Sequence, residues 1–227
     1  MLPDPIKKFV DLFSKLPGIG PRQATRLAFH ISGTGKSNIE ELAKIIYGLS
    51  DIKTCSLCFT SHNNAGYETR SARENTKKNL CPICSNPQRR KDIIAIIEKE
   101  TDLISLEKTK KFDGRYLVLG DLKKDGVLES VQKLRLNSLK NWIKKEFGGQ
   151  AHSAGSPRQS SGQAGQAEEI ILAMNPTTYG DLNASLIANE LKDSAKKITR
   201  LGRGIPTGGE IEFADEETLG AALDKRG

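Results

Sequence analysis

The sequence predicts a multidomain α/β protein: an N-terminal helix-hairpin-helix, a four-cysteine zinc finger, a compact domain of parallel strands alternating with helices, and a C-terminal strand–helix tail. Three observations carry that prediction. Two glycines in Leu16-Pro-Gly-Ile-Gly20 separate two short helical patterns, and all four cysteines fall into two CxxC pairs. From residue 93 onward, continuous apolar runs alternate with helical patterns, which is how βαβ units around a sheet covered on both faces read.

In chain order, Ile6, Phe9, Val10, Phe13 and Leu16 recur at helical spacing, so residues 4–16 read as an amphipathic helix. Pro17-Gly-Ile-Gly-Pro21 ends it. Pro21 suits the first position of the next helix, where its missing N–H costs nothing. That helix, about 22–31, sets Ala24, Leu27, Ala28 and Ile31 on one face and Arg22 and Arg26 on another. The glycines let the backbone turn tightly and approach a partner with no Cβ in the way. Free N–H groups and the helix dipole then point into the turn, where a phosphate is the natural occupant. Gly18, Ile19, Gly20, Arg22 and Arg26 are therefore the candidate DNA contacts, gripping backbone by shape and charge without reading bases. The plainer alternative is a helical hairpin whose glycines only make the turn.

A capping box, Ser37-Asn-Ile-Glu40, opens a third helix striped by Ile39, Leu42, Ile46 and Leu49. Gly33-Thr-Gly-Lys-Ser37 mimics a nucleotide loop only superficially. His30 stands where a Walker A motif needs its first glycine, and a helix rather than a strand precedes it.

Cys55-Ser-Leu-Cys58 and Cys81-Pro-Ile-Cys84 are separated by 22 residues. Each turn aims two thiolates at one ion, and two turns complete a tetrahedral S4 shell for zinc. The rival reading is a pair of disulfides. Met1 leads directly into Leu-Pro-Asp-Pro with no apolar leader, so a reducing compartment is expected, where paired cysteines serve as metal ligands. A closed site of this kind is structural. The polar stretch His62 to Asn79 between the pairs reads as a surface loop.

In the second half, Ile93–Ile97, Arg115–Leu119, Ile170–Met174 and Lys197–Leu201 read as buried strands. Leu103–Lys111, Val127–Phe147 and Leu182–Leu191 read as the helices between them. Gly148 to Ala167, built from Gly, Ser, Gln and Ala with almost no apolar bulk, reads as a flexible insertion. After a Gly/Pro-rich turn, the tail passes through a short strand at Glu210–Phe213 and ends in a helix. The domain boundaries expected are 1–52, 53–90, 91–201 (insertion 148–167) and 202–227.

The net charge of +7 is unevenly placed. Residues 1–91 hold 15 Lys/Arg against 7 Asp/Glu, a net of +8, whereas 92–227 hold 20 against 21, a net of −1. An excess confined to one segment is an electrostatic footprint for a polyanion, although a solvated basic face would look the same.

No catalytic set emerges. Glu98 at the end of the first α/β strand and Asp181 after the third could at most make a weak metal or partner contact. Two-metal phosphoryl chemistry needs a second carboxylate cluster, and Asn175-Pro-Thr177 stands in its place. Structural or interface roles are the reading adopted for both. His30 is expected to be a partly packed helix residue, and His62 and His152 to lie in loops.

The order of these parts resembles the bacterial recombination mediator family RecR. The resemblance rests on Leu16-Pro-Gly-Ile-Gly-Pro-Arg-Gln-Ala-Thr-Arg-Leu-Ala-Phe-His30, the CxxC pairs, Ile96-Ile-Glu98 with Asp102, and Leu106-Glu-Lys-Thr109. Gly114-Arg-Tyr-Leu-Val-Leu-Gly120, Asn175-Pro-Thr177 and Thr199-Arg-Leu-Gly-Arg-Gly-Ile-Pro-Thr-Gly-Gly209, running into Phe213-Ala-Asp-Glu-Glu-Thr-Leu219, extend it along nearly the whole chain. It implies a Toprim identity for the α/β domain and a structural zinc ion on Cys55, Cys58, Cys81 and Cys84. It implies a tail that reaches a neighbouring subunit, and a ring-like homotetramer around DNA with Arg22 and Arg26 facing the hole.

The resemblance further implies a cytoplasmic, nucleoid-associated factor with no catalysis of its own. Such a factor binds single- and double-stranded DNA without sequence preference and acts with RecO and RecF to help load RecA on gapped DNA coated with single-strand-binding protein. The chain departs from the family pattern in a longer stretch between the CxxC pairs and in the 148–167 insertion. Tyr179 also stands where an acidic residue is typical, which counts against a metal site or an acid-dependent partner contact there.

Overall fold

The computed structural model describes residues 2–63, 79–148, 165–205 and 207–224. By compactness the chain divides into two units, Met1–Ile52 and Lys53–Gly227.

The first unit is helical: α1 Asp4–Phe13, α2 Pro21–Gly33, α3 Lys36–Gly48 and a closing 3-10 turn, Leu49–Asp51. Pro5 and Pro21 each sit in the first turn of a helix, where a missing donor is harmless. α1 and α2 pack closely. Ala24 and Ala28 are the residues that α2 buries, and their small side chains permit that approach. Phe9 and Phe13, one turn apart on α1, stack with ring centroids 3.8 Å apart.

The Ser37 capping box does not form. Gly35, at φ +88°, takes the cap position and α3 begins at Lys36, leaving Ser37 inside the first turn. Gly33-Thr-Gly-Lys-Ser37 is thus a helix-to-helix connection. His30 is exposed rather than packed, in the last turn of α2.

The second unit opens with a two-stranded hairpin, β1 Lys53–Thr54 and β2 Ser61–His62, followed by the short helix α4 Pro82–Ser85. The α/β domain follows as β3 Ile93–Ile97, α5 Glu100–Lys108, β4 Arg115–Val118, α6 Ser130–Phe147, β5 Ala167–Ala173, α7 Thr178–Leu191 and β6 Ala195–Arg200. All pairings in this sheet are parallel and the strand order is β4-β3-β5-β6.

Alternation along the strands explains why they read as continuous apolar runs. Ile94, Ile96, Leu117, Ile170 and Leu172 share one cluster with Leu136, Leu139 and Ile143 of α6 and Ile187 and Leu191 of α7. Ala95, Ile97, Tyr116, Val118 and Ala173 form another, with Leu103 of α5. Both faces are covered, so both parities must be apolar.

Three expectations are corrected here. Ala167, placed in the insertion, is the fully buried first residue of β5, paired with Ala195. His62, placed in a loop, is buried on β2 opposite Lys53. Glu210–Phe213 is not a strand but a 3-10 turn, Ile211–Phe213, which leads into α8 Glu216–Asp224. Asp215 caps α8 through the N–H and hydroxyl of Thr218, both at 2.8 Å. Residues 149–164 of the expected insertion, with His152, and 64–78 of the expected inter-CxxC loop lie outside the described residues. Among the described residues no helix is long and apolar enough to cross a membrane.

Candidate nucleic-acid interface and metal centre

The turn between α1 and α2 is wound by Leu16 N–H on Phe13 O at 3.0 Å and Ile19 N–H on Leu16 O at 3.2 Å. Gly18 sits at φ +79°, a conformation costly for any residue with a Cβ. Gly20 is the extended N-cap of α2, and the first helical bond runs from Ala24 N–H to Gly20 O at 2.9 Å. The N–H groups of Arg22 and Gln23 therefore stand at the positive end of a 13-residue helix with no side chain capping them. Arg22 and Arg26 are exposed, one turn apart, and neither forms an ion pair among the described residues. Gly18, Ile19, Gly20 and Arg22 of the residues singled out for DNA contact thus lie at the entrance of α2, and Arg26 lies one turn further along. The entrance of α2 carries two uncapped amide donors, with two exposed guanidiniums on the same helix.

The cysteines converge in the second unit. Cys55 N–H donates to Thr60 O at 2.9 Å and Phe59 N–H to Cys55 O at 3.1 Å, with Phe59 held at φ +62°, which turns the first CxxC back on itself. The second pair opens α4: Cys81 is its N-cap and accepts Cys84 N–H on its sulfur at 3.4 Å. The two turns are joined by Cys81 N–H on Cys55 Sγ at 3.3 Å and by Asn79, whose amide reaches Thr54 O at 2.6 Å.

All four sulfurs lie within 4.8 Å of one another, are buried and form no disulfide. A tetrahedral zinc with bonds of about 2.3 Å needs sulfurs about 3.8 Å apart, so the set fits that ion. Hydrogen bonds from the neighbouring thiols, Cys58 first, hold Cys55 well below the ordinary thiol range. Bonds with the same neighbours, Cys55 first, push Cys84 far above it, and burial adds to the rise. A dication is what allows four such thiols to ionise together.

The metal turns are fastened to the sheet. Cys58 O accepts the N–H of Val118 on edge strand β4 at 2.9 Å, and Ser61 N–H donates to Glu100 Oε1 at 2.8 Å. Arg135 of α6 places its guanidinium 5.0 Å from the Phe59 ring centroid and donates to Val118 O at 3.0 Å. Sequence reading missed Glu100 and Arg135 in these roles, because nothing in their spacing distinguishes them from ordinary helix-surface charges.

At the carboxyl ends of the strands, Glu98 and Asp181 are not brought into one site. Glu98 accepts Leu122 N–H at 3.3 Å and lies within 3.5 Å of Asn175 Nδ2, so it ties the ends of β3, β4 and β5 together. Asp181 lines a separate cavity and is ion-paired with both Arg203 and Arg200.

Those guanidiniums, Arg203 first, hold the Asp181 carboxyl below its usual range. A depressed folded pKa gives stability that is present above the unfolded value, about 3.9, and lost as pH falls through the folded one. Asp181→Asn is therefore expected to lower the melting temperature at pH 6. It should also flatten the fall in melting temperature below about pH 4. Parallel curves for variant and wild type in a pH series of thermal melts would refute that assignment.

Family models match three stretches of the chain: "RecR, helix-hairpin-helix" over residues 6–48, "Toprim domain" over 92–202 and "RecR, C-terminal" over 204–226. Among curated proteins, the chain is 37% identical over 226 residues to a recombination protein RecR of Anaeromyxobacter sp., covering 98% of this chain and 96% of that one. It is 34% identical over 225 residues to that of Clostridium perfringens, covering 99% and 96%. It is 33% identical over 222 residues to that of Acidothermus cellulolyticus, covering 97% and 95%.

Proposed function

Because the chain belongs to the RecR family of recombination proteins, we propose that it is a non-catalytic DNA-binding mediator of recombination repair. The observation that carries this reading is the entrance of α2. There the N–H groups of Arg22 and Gln23 are uncapped, and the exposed Arg22 and Arg26 side chains form no ion pair among the described residues. Phosphates bind there through Gly18, Ile19 and Gly20 backbone and the two arginines, with little dependence on sequence or on strand number.

On this reading residues 1–52 grip DNA, 53–90 form a structural zinc finger on Cys55, Cys58, Cys81 and Cys84, 91–201 form the Toprim domain and 202–227 join subunits. The assembly is a homotetrameric ring in the bacterial cytoplasm, associated with the nucleoid. It works with RecO and RecF so that RecA replaces single-strand-binding protein on gapped DNA. Glu98 and Asp181 act as structural contacts, in keeping with their engagement by Asn175 and by Arg200 and Arg203.

The test is fluorescence anisotropy of end-labelled gapped DNA titrated with protein, with magnesium present, at several salt concentrations. The expected result is a stable plateau whose midpoint weakens steeply with salt. A signal that rises and then decays as fragments leave would make the chain a nuclease and overturn the reading of Glu98. No rise at low salt would remove the DNA-binding proposal for the isolated protein.

A further inference from the structure

Arg115 is a charged residue that the α/β sheet largely buries. It occupies the first position of β4, paired with Ile94 of the central strand β3. Only 8% of it is exposed, and its Nε finds no hydrogen-bond partner. Among the described residues no carboxylate pairs with it. Its guanidinium carbon lies 5.4 Å from the centroid of the Trp142 ring on α6. A guanidinium cannot shed its proton to escape burial, so a negative charge nearby would stabilise it. The ring quadrupole contributes only part of what is needed.

Arg115 lines a small cavity that also has a cysteine in its wall. The cavity is lined by Leu57, Ile94, Leu139, Trp142, Tyr116 and Cys84. The Tyr116 hydroxyl is already committed to Glu107 at 2.7 Å. Cys84, a member of the four-sulfur cluster, is the remaining lining group able to carry negative charge. Four thiolates around one divalent cation leave a centre with a net charge of about −2.

We propose that Arg115 is the counter-charge of this metal–thiolate centre, a residue of the α/β sheet that sets the metal affinity of the finger beside it. The inference rests on the zinc reading of the cysteines. It makes the finger and the sheet one electrostatic unit, because the buried cation is supplied by β4 and the buried anion by the two CxxC turns. Outer-sphere groups of this kind change metal affinity by about 10–100-fold when removed.

The experiment is a zinc-affinity measurement on the full-length chain by competition with a chromophoric chelator. A cobalt(II) absorption spectrum reports the ligand set. Arg115→Met keeps volume and loses charge, Arg115→Lys keeps charge, and Trp142→Leu removes the ring while leaving the guanidinium in place. The expected result is zinc binding weakened about tenfold or more in Arg115→Met with an unchanged cobalt spectrum, and within about threefold of wild type in the other two. If Arg115→Met does not fold, Arg115→Gln takes its place.

Wild-type affinity in the charge-free variant would overturn the proposal and leave the metal reading standing. Equal weakening in all three variants would also overturn it, since packing rather than charge would then be at work. A wild-type chain that binds no zinc would sink the metal reading itself.

Discussion

Charge reversal at both hairpin arginines, Arg22→Glu with Arg26→Glu, is expected to abolish DNA binding while leaving fold and metal content intact. Both side chains are exposed and unpaired among the described residues, so removing them disturbs no packing, and stability should move by no more than about 0.5 kcal/mol. Each phosphate contact contributes about 0.9 to the slope of log affinity against log salt. At 0.1 M salt one lost contact therefore costs roughly eightfold and two roughly sixtyfold, before the repulsion from two new carboxylates is added. The salt slope should shrink by about 2 for every hairpin engaged. Anisotropy titrations across a salt series, beside circular dichroism of the same samples, check both halves of the claim. Unchanged affinity in a folded variant would move the DNA interface away from α2 and back to the plain structural reading of the glycine turn.

Cys81→Ser is expected to strip the finger of its metal and lower stability in two steps rather than one. Cys81 is central to the cluster: its sulfur lies 3.4 Å from Cys58 Sγ and accepts Cys84 N–H, and its own N–H donates to Cys55 Sγ. Structural zinc sites are worth on the order of 10–16 kcal/mol in isolated finger peptides, far more than a hairpin of two-residue strands supplies alone. The α/β domain has its own core from Ile94 to Leu191 and should stay folded at room temperature. Metal analysis should fall from one equivalent to none. Calorimetry should show an early transition that chelator-treated wild type reproduces. A single unshifted transition with metal retained would rule out Cys81 as a ligand.

Elements whose signal is local were readable in the sequence. The four strands announce themselves because both faces of the sheet are covered, and the cysteine cluster because a two-residue spacing leaves a turn few alternatives. What escaped depends on partners distant in sequence. His62 looks like a loop residue until Lys53 pairs with it, and Ala167 looks like the last residue of a polar insertion until Ala195 does. Ser37 carries the composition of a cap, but Gly35 reaches a positive φ and starts the helix first.

At the candidate sites, the cysteines and the arginine pair stood out, whereas Glu100, Arg135 and Arg115 did not. Their roles come from contacts across tens of residues, such as Ser61 to Glu100, which no periodicity records. Ile211–Phe213 alternates like a strand, yet among the described residues no strand pairs with it, and the segment closes on itself instead.

The bond from Val118 N–H to Cys58 O has a consequence for solubility. A four-stranded open sheet has two raw edges, each a template on which another chain can add a strand. This sheet guards them by different means. On β6 the guard is permanent, since Lys196 and Lys197 place charge on the outermost strand. On β4 it is the first CxxC turn, whose Cys58 carbonyl takes up the Val118 N–H. Loosening of that turn is expected to bare the β4 edge at Val118 while β6 keeps its lysines, so self-association is expected to begin on the β4 side.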